Sequence, residues 1–229
     1  MDEEGLAALR RLGEVRYESF REHLRLLAGE DLIEALAGVQ VFITEVDAVD
    51  AEVLTKAPDL RVVVACRGNA VNLDIDACTA HGILVLTTPG RNADSVADLT
   101  ISFILMLARK LPQATEFLYQ PGEEGDVGRM GRAFEGLKGH ELWHKTIGIV
   151  GLGAVGQRVA KRLHPFGVRV IANDPFLSAE KAVLLDVESV SLEQLLAESD
   201  FVTLHSAVAD ESRALLGPAE IGKMKREAY

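Results

Sequence analysis

Apolar and β-branched residues recur along the chain in six short runs, separated by segments with a helical pattern. The runs are VQVFIT (39–44), RVVVAC (61–66), ILVLTT (83–88), TIGIVG (146–151), VRVIAN (168–173) and FVTLH (201–205). Nearly continuous apolar runs of this length are typical of parallel strands that are buried on both faces. Because helical segments alternate with these strands, the pattern predicts an α/β fold with parallel sheets.

Helical patterns occupy most of the intervals between the runs. They lie at 51–57, 74–81, 95–111, 154–164 and 192–198, and another helix-like segment begins close to Met1. The segment at 95–111 is long and strongly apolar. A stretch rich in glycine and charge at 120–132 predicts a loop, which separates one set of strands and helices from the next. The pattern therefore favours two domains.

Three glycines follow the fourth apolar run directly and precede a helical segment. Gly151, Gly153 and Gly156 form the pattern GxGxxG in the strand–turn–helix context of a dinucleotide-binding turn. In such a turn the first glycine allows the tight bend, the second lets the backbone approach a pyrophosphate, and the third allows helix and strand to pack closely. The start of the helix would offer N–H groups and a positive dipole end to the phosphates. A structural turn without a nucleotide is the alternative.

An acidic residue follows the next strand at the distance that a dinucleotide site requires. Asp174 stands 23 residues after Gly151, and an acidic residue about 20 residues on binds the ribose 2′-hydroxyl in such sites. A carboxylate there disfavours a 2′-phosphate, so the sequence predicts NAD rather than NADP. The alternative for Asp174 is a local turn with Pro175.

Composition and charge exclude several classes of protein. Hydrophobic residues make up 48% of the chain and charged residues 26%, with a net charge of −11, so a basic footprint for nucleic acid is absent. The apolar run at 100–108 is too short to span a bilayer. Two cysteines do not make a disulfide framework, which favours a reducing, cytoplasmic location. The sequence shows no metal-ligand spacing.

Three segments, in order, resemble the NAD-dependent D-isomer-specific 2-hydroxyacid dehydrogenases, the family that includes D-3-phosphoglycerate dehydrogenase. They are residues 57–111, 137–176 and 199–229. The resemblance implies two Rossmann-like domains. Residues 1–94 would be a flavodoxin-like substrate domain that lacks its first strand. Residues 95–229 would be the NAD-binding domain, including an interdomain helix at 95–111 and incomplete at its C-terminus.

The expected incompleteness has a structural consequence. Only the first βαβαβ half of a Rossmann sheet is recognised, at 146–205. The strand TIGIV would then lie at an edge of its sheet with apolar faces exposed. We therefore expect marginal stability for the isolated chain.

The resemblance also assigns site residues. It places Ala154 and Val155 at the pyrophosphate, His205 and Ala207 near the adenosine, Val96 and Thr100 at the nicotinamide, and Arg67, Gly68 and Asn69 at the substrate carboxylate. Backbone N–H groups with one arginine suit a carboxylate. Core or helix packing is the alternative for His205, Val96 and Thr100, and a solvated strand end is the alternative for Arg67.

The catalytic side chains that the resemblance implies are an arginine, a glutamate and a histidine, all beyond the position of Tyr229. The 229-residue chain is therefore expected to be inactive alone. Three functions stay open: a large part of an NAD-dependent dehydrogenase of a 2-hydroxy or 2-oxo acid, an NAD(H)-binding or sensing module without turnover, and a non-functional remnant. The resemblance further implies a homodimer in the intact protein.

Overall fold

The architecture was analysed in a computed structural model, which describes residues 3–18, 25–121, 126–206 and 215–229. The chain divides into two compact units, Met1–Pro89 and Gly90–Tyr229. This division lies five residues before the expected domain boundary between 94 and 95.

The first unit is a three-stranded parallel sheet with helices between its strands. Its elements are α1 (Glu3–Arg10), α2 (Gly29–Ala35), β1 (Val41–Thr44), α3 (Ala51–Lys56), β2 (Val62–Ala65), α4 (Ile75–Ala80) and β3 (Leu84–Thr87). The strands lie in the order β1-β2-β3. Aspartates begin two of the helices: the side chains of Asp50 and Asp74 accept hydrogen bonds from the backbone N–H groups of Val53 and Ala77.

The second unit contains the remaining elements. They are α5 (Ala93–Ala108), α6 (Leu111–Tyr119), α7 (Val127–Gly136), β4 (Thr146–Val150), α8 (Ala154–Leu163), a 3₁₀ turn (His164–Phe166), β5 (Arg169–Asn173), α9 (Ala179–Leu184), β6 (Glu188–Ser189), α10 (Leu192–Glu198), β7 (Phe201–Leu204) and α11 (Pro218–Ile221). Its four strands are parallel. The six strands expected from the apolar runs are confirmed, and β6 is an addition.

The strand order of the second sheet corrects the expectation for TIGIV. The order is β6-β5-β4-β7, so β4 pairs with β5 on one side and with β7 on the other. The prediction that β4 lies at an edge was wrong, and marginal stability no longer follows from it. Ile147 and Ile149 of β4 are fully buried.

In the half-sheet expected at 146–205, the strand at 201–205 would lie next to β5. The structure places β6 next to β5 instead, and β7 (Phe201–Leu204) lies on the other side of β4. After β6 the chain passes through α10 and returns to the opposite side of β4. The free side of β7 is met by the backbone of Tyr229, which donates to Asp200 O at 3.0 Å and accepts from Val202 N at 2.9 Å. The Tyr229 ring stacks on Phe201 with centroids 5.1 Å apart.

Two helical expectations also change. The helix expected at 95–111 is Ala93–Ala108, and a separate helix starts at Leu111 after Lys110 adopts a left-handed conformation with φ of 50°. The loop expected at 120–132 is wrong over its second part, because α7 begins at Val127. Asp126 caps that helix by accepting from the Arg129 N–H at 2.9 Å.

Within the described ranges, no helix combines the length and the apolar character needed to cross a bilayer.

The core of the second unit lies between β4, α5 and α8, and Leu163 on α8 is fully buried there. We predict that Leu163→Ala lowers the free energy of unfolding by about 2–5 kcal/mol, because it removes buried surface and leaves a cavity. Leu184→Ala is the matched control, since Leu184 is 83% exposed, and it should change stability by less than about 0.5 kcal/mol. Denaturant unfolding measures both, and equal losses would contradict this assignment of the core.

Candidate cofactor site

The glycine turn begins at Gly151, immediately after β4. Gly151 has a φ of 88°, and its N–H donates to Asn173 O at 2.9 Å. A Cβ at Gly151 would lie 2.5 Å from the backbone nitrogen of Ser206, which follows β7. Two independent constraints, the left-handed conformation and the close approach of a neighbouring backbone, therefore require glycine here.

Gly156 and Gly153 differ in the space that a Cβ would have. A Cβ at Gly156 would lie 2.2 Å from Gly151 O, so α8 packs directly on the turn and only glycine fits. A Cβ at Gly153 would lie more than 4 Å from every atom of the residues that the structure describes, and Gly153 is exposed. None of these contacts requires glycine at Gly153, and the open space leaves the backbone there accessible to a ligand.

The start of α8 offers hydrogen-bond donors to that open space. Gly153 is the N-cap residue of α8 and has no side chain to accept bonds from the first N–H groups of the helix. Ala154 is exposed and Val155 is half-buried. These N–H groups and the positive end of the helix fit the pyrophosphate of a dinucleotide. The residues present therefore fit an NAD-type cofactor.

Asp174 lies at the carboxyl end of β5, beside the glycine turn. One carboxylate oxygen accepts from the Leu152 N–H at 2.6 Å, and the other accepts from the Phe176 N–H at 2.8 Å. The first bond holds the turn against β5, while the second forms the local turn considered as the alternative. Each oxygen retains a lone pair for a further donor, such as a ribose hydroxyl. Both interpretations of Asp174 are compatible in one geometry.

His205 follows β7 at the same edge of the sheet. Its N–H donates to Val150 O at 2.7 Å, and its ring Nε2 lies 2.9 Å from Thr203 Oγ1. Burial lowers the pKa of the His205 imidazole below its ordinary value, so the ring is neutral at neutral pH. Ala207 lies outside the described residues.

Val96 and Thr100 lie on α5, which packs against α8. Val96 is half-buried and Thr100 is 9% exposed. The Thr100 hydroxyl donates to Val96 O at 2.8 Å within the helix. Just before α5, a Cβ at Gly90 would lie 3.6 Å from the Ala154 Cβ, so the segment leading into α5 lies beside the start of α8.

Arg67, Gly68 and Asn69 belong to the first unit and follow β2, the central strand of its sheet. Arg67 is half-buried, whereas Gly68 and Asn69 are exposed. The carbonyl oxygen of Arg67 accepts from the Thr88 N–H at 2.8 Å. This bond fixes the start of the loop at the carboxyl end of the sheet.

Within the second unit, the structure brings the glycine turn, Asp174 and His205 together. They follow three neighbouring strands, β4, β5 and β7, at the carboxyl edge where ligands bind in open α/β sheets. Sequence reasoning missed Ser206, because its contact with Gly151 depends on the pairing of β4 with β7. It also missed Gly90, for which the Pro–Gly pair before α5 was the available signal.

Comparison with known proteins agrees with this geometry. The family model described as D-isomer specific 2-hydroxyacid dehydrogenase, NAD binding domain, matches residues 101–229. D-3-phosphoglycerate dehydrogenase of Mycobacterium tuberculosis is 34% identical over 220 residues, which cover 96% of this chain and 39% of that protein. A putative 2-hydroxyacid dehydrogenase, YoaD, of Bacillus subtilis is 34% identical over 230 residues, covering 99% of this chain and 65% of that protein. The chain thus spans less than two thirds of either relative.

Solved structures show the same relationship. The TT0316 protein of Thermus thermophilus superposes with a TM-score of 0.78 at 30% identity, covering 98% of this chain and 68% of that one. The apo-structure of D-lactate dehydrogenase from Escherichia coli gives a TM-score of 0.70 at 28% identity, covering 87% of this chain and 61% of that one. The Rossmann-type α/β fold expected from the sequence is confirmed. The chain belongs to the D-isomer-specific 2-hydroxyacid dehydrogenase family and carries that family's NAD-binding domain.

Proposed function

We propose that this chain is the NAD(H)-binding part of an NAD-dependent oxidoreductase that interconverts a small 2-hydroxy acid and the corresponding 2-oxo acid. The observation that carries the proposal is the open backbone at Gly153, which lies at the start of α8 between two glycines that the fold itself requires. NAD, when bound, would supply the hydride acceptor for oxidation at C2 of the hydroxy acid, and NADH would supply the hydride donor for the reverse reaction.

The pyrophosphate would lie on the glycine turn. The N–H groups of Ala154 and Val155 would donate to its oxygens, and the dipole of α8 would favour its negative charge. Asp174 would accept from the adenine ribose, while its bonds to Leu152 and Phe176 hold the carboxylate in place. His205 and Ala207 would line the adenosine side, with the His205 ring neutral and therefore adding no charge.

The nicotinamide and the substrate would meet other residues. Val96 and Thr100 would contact the nicotinamide from α5, and apolar contacts there would exclude water from the transferred hydride. Arg67, with the N–H groups of Gly68 and Asn69, would bind the carboxylate of the 2-hydroxy or 2-oxo acid. A single arginine fork matches one carboxylate and supports a small anionic substrate.

Proton transfer to the substrate oxygen is not assigned to any residue between Met1 and Tyr229. The proposal includes the expectation from the family resemblance that the arginine, glutamate and histidine have no counterpart among these 229 residues. We therefore expect the 229-residue chain to bind NAD(H) without turnover. The second candidate function, a non-catalytic NAD(H)-binding or sensing module, is favoured by the same observation. A cytoplasmic location is part of the proposal, supported by two free cysteines, Cys66 and Cys78.

Exposed apolar side chains support a homodimer of the intact protein. On α7, Val127, Met130 and Phe134 are 79%, 73% and 76% exposed, and their spacing places them on one face of the helix. Arg129 ties α7 to α6 by donating to Phe117 O at 3.0 Å. Exposed apolar patches of this kind mark protein interfaces, so we propose that this face contacts a second copy.

The glycine turn provides a direct test of cofactor binding. We predict that Gly153→Ala weakens NADH binding by at least about tenfold without changing the melting temperature. The added Cβ would meet no atom of the described residues but would occupy the space proposed for the pyrophosphate. Gly131→Ala on α7 is the matched control, since its Cβ also meets nothing. Calorimetric titration with NADH measures both variants.

Failure of the wild-type chain to bind NADH would overturn the proposal and would favour a non-functional remnant. Binding without oxidation of NADH by small 2-oxo acids is the expected result for the 229-residue chain. Turnover by this chain would show that other residues supply the catalytic groups.

Asp174 should decide the choice of cofactor. We predict that the wild-type chain binds NADH at least about tenfold more tightly than NADPH, because a carboxylate repels a nearby phosphate. Asp174→Asn should reduce this preference by about tenfold, since it removes the charge and keeps one acceptor oxygen. Asp186→Asn is the control, because the Asp186 side chain is 94% exposed and lies outside the proposed site. An unchanged NADH-to-NADPH ratio in Asp174→Asn would exclude a ribose contact.

The proposed dimer face can be tested by charge. We predict that wild-type chain sediments as a dimer and that Phe134→Glu is monomeric, because burying an unpaired carboxylate opposes association. Leu184→Glu, at an equally exposed apolar position on α9, should stay dimeric. Analytical ultracentrifugation separates these outcomes. A monomeric wild-type chain, or identical behaviour of the two variants, would exclude this face as the interface.

A further inference from the structure

Two arginines on α8 contact two aspartates on α5. Arg158 Nε lies 2.8 Å from Asp94 Oδ2, and Arg162 NH2 lies 3.0 Å from Asp94 Oδ1. Arg162 Nε lies 2.6 Å from Asp98 Oδ1. Both pairs are four residues apart on their helices, so each pair presents one face. Asp94 is shared by both arginines, and Arg162 is shared by both aspartates.

The charges in this group stabilise one another. A hydrogen bond from Arg162, which has the larger effect, and another from Arg158 hold the pKa of the Asp94 carboxyl below its ordinary value. A planar guanidinium that bonds two carboxylates has less rotational freedom than one in a single pair. The four side chains therefore act as a connected network rather than as separate surface ion pairs.

The network joins the two parts of the proposed cofactor site. Arg158 also donates through NH1 to Ala154 O at 2.9 Å, on the first residue of α8 and therefore beside the glycine turn. On α5, Asp94 and Asp98 stand two residues before Val96 and Thr100, respectively. A change at the arginines would therefore alter how the nicotinamide side lies relative to the pyrophosphate side.

The network lies at the exposed edge of the contact between α5 and α8. Ala97 on α5 and Ala160 on α8 are fully buried, and their small side chains allow the two helices to lie close together. Ile104 and Leu163 belong to the same buried cluster. The arginines therefore add directional bonds at the exposed edge to the apolar packing that holds α5 against α8.

We propose that Arg158 and Arg162 are positioning residues that hold α5 in register with α8 and thereby set the nicotinamide side of the cofactor site against the pyrophosphate turn. This inference rests on the proposed function, because the nicotinamide contacts of Val96 and Thr100 belong to it. The two arginines bind no part of the cofactor themselves. Their effect on binding is transmitted through α5.

NADH and ADP-ribose share most of their atoms, but their affinities should respond differently to loss of the network. ADP-ribose contains the adenosine, the pyrophosphate and the second ribose, and it lacks the nicotinamide. Its proposed contacts lie on the glycine turn, Asp174 and His205, none of which belongs to α5. Loss of the network should therefore weaken NADH binding and spare ADP-ribose binding, whereas general damage to the fold would weaken both.

The experiment is calorimetric titration of the 229-residue chain with NADH and with ADP-ribose. For Arg162→Met we expect NADH affinity to fall by about threefold to tenfold, in keeping with the modest strength of exposed ion pairs, while ADP-ribose affinity stays within about twofold. Arg162→Lys, which keeps the charge but cannot bond both aspartates in a fork, should be intermediate. The melting temperature should fall only slightly in both variants, because exposed ion pairs contribute little to stability.

Arg169→Met is the matched control. Arg169 forms ion pairs of 2.6 Å with Glu188 and with Glu198, away from α5. Its removal should leave the ratio of NADH to ADP-ribose affinity unchanged.

The outcomes distinguish failure of the proposed cofactor site from failure of the positioning role of the arginines. Wild-type chain that bound neither ligand would overturn the proposed function, and this inference with it. Wild-type chain that bound both ligands equally would refute the nicotinamide contacts and so overturn the inference, leaving the pyrophosphate site intact. An unchanged affinity ratio in Arg162→Met, or an equal loss for both ligands, would show that the network has a structural role only.

Discussion

The candidate cofactor site depends on the close approach of two backbones, at Gly151 after β4 and at Ser206 after β7. That approach exists because β4 is paired on both sides, which brings the end of β7 beside the glycine turn. Because Gly151 carries no Cβ and adopts a positive φ, the chain can bend sharply there, and α8 starts three residues later at Ala154. Among the described residues, no side chain caps the first N–H groups of α8.

Neighbouring residues of the same turn differ in what constrains them. Contacts inside the protein require glycine at Gly151 and Gly156, whereas Gly153 lies in open space among the described residues, where the proposed cofactor would approach. Asp174 bonds the backbone of Leu152 and keeps a lone pair on each oxygen for the proposed ribose contact. A site built in this way is preorganised, since its donors and acceptor are held before a ligand arrives.

The helix that follows the turn, α8, also combines several roles. α8 offers its first N–H groups to the site, buries Val159 and Leu163 in the core, and presents Arg158 and Arg162 to α5. One helix therefore connects the stability of the second unit with the geometry of the site. The exposed apolar face of α7 lies outside this arrangement, which is consistent with a separate role in association.

Local patterns determined much of this protein. The six apolar runs became strands, and the spacing of Gly151, Gly153, Gly156 and Asp174 predicted the turn and its acidic neighbour, because each depends on a single strand, turn or helix. The sequence did not reveal β6, since Glu188–Ser189 is two residues long and polar, and that omission misplaced β7. It also did not reveal α7, whose glycines suggested a loop although Asp126 caps a helix there. Pairing of β4 with β7, the contact of Gly151 with Ser206, and the network between α5 and α8 were decided only by the tertiary structure. They join residues far apart in the chain, and no local preference determines which strand or helix becomes the neighbour.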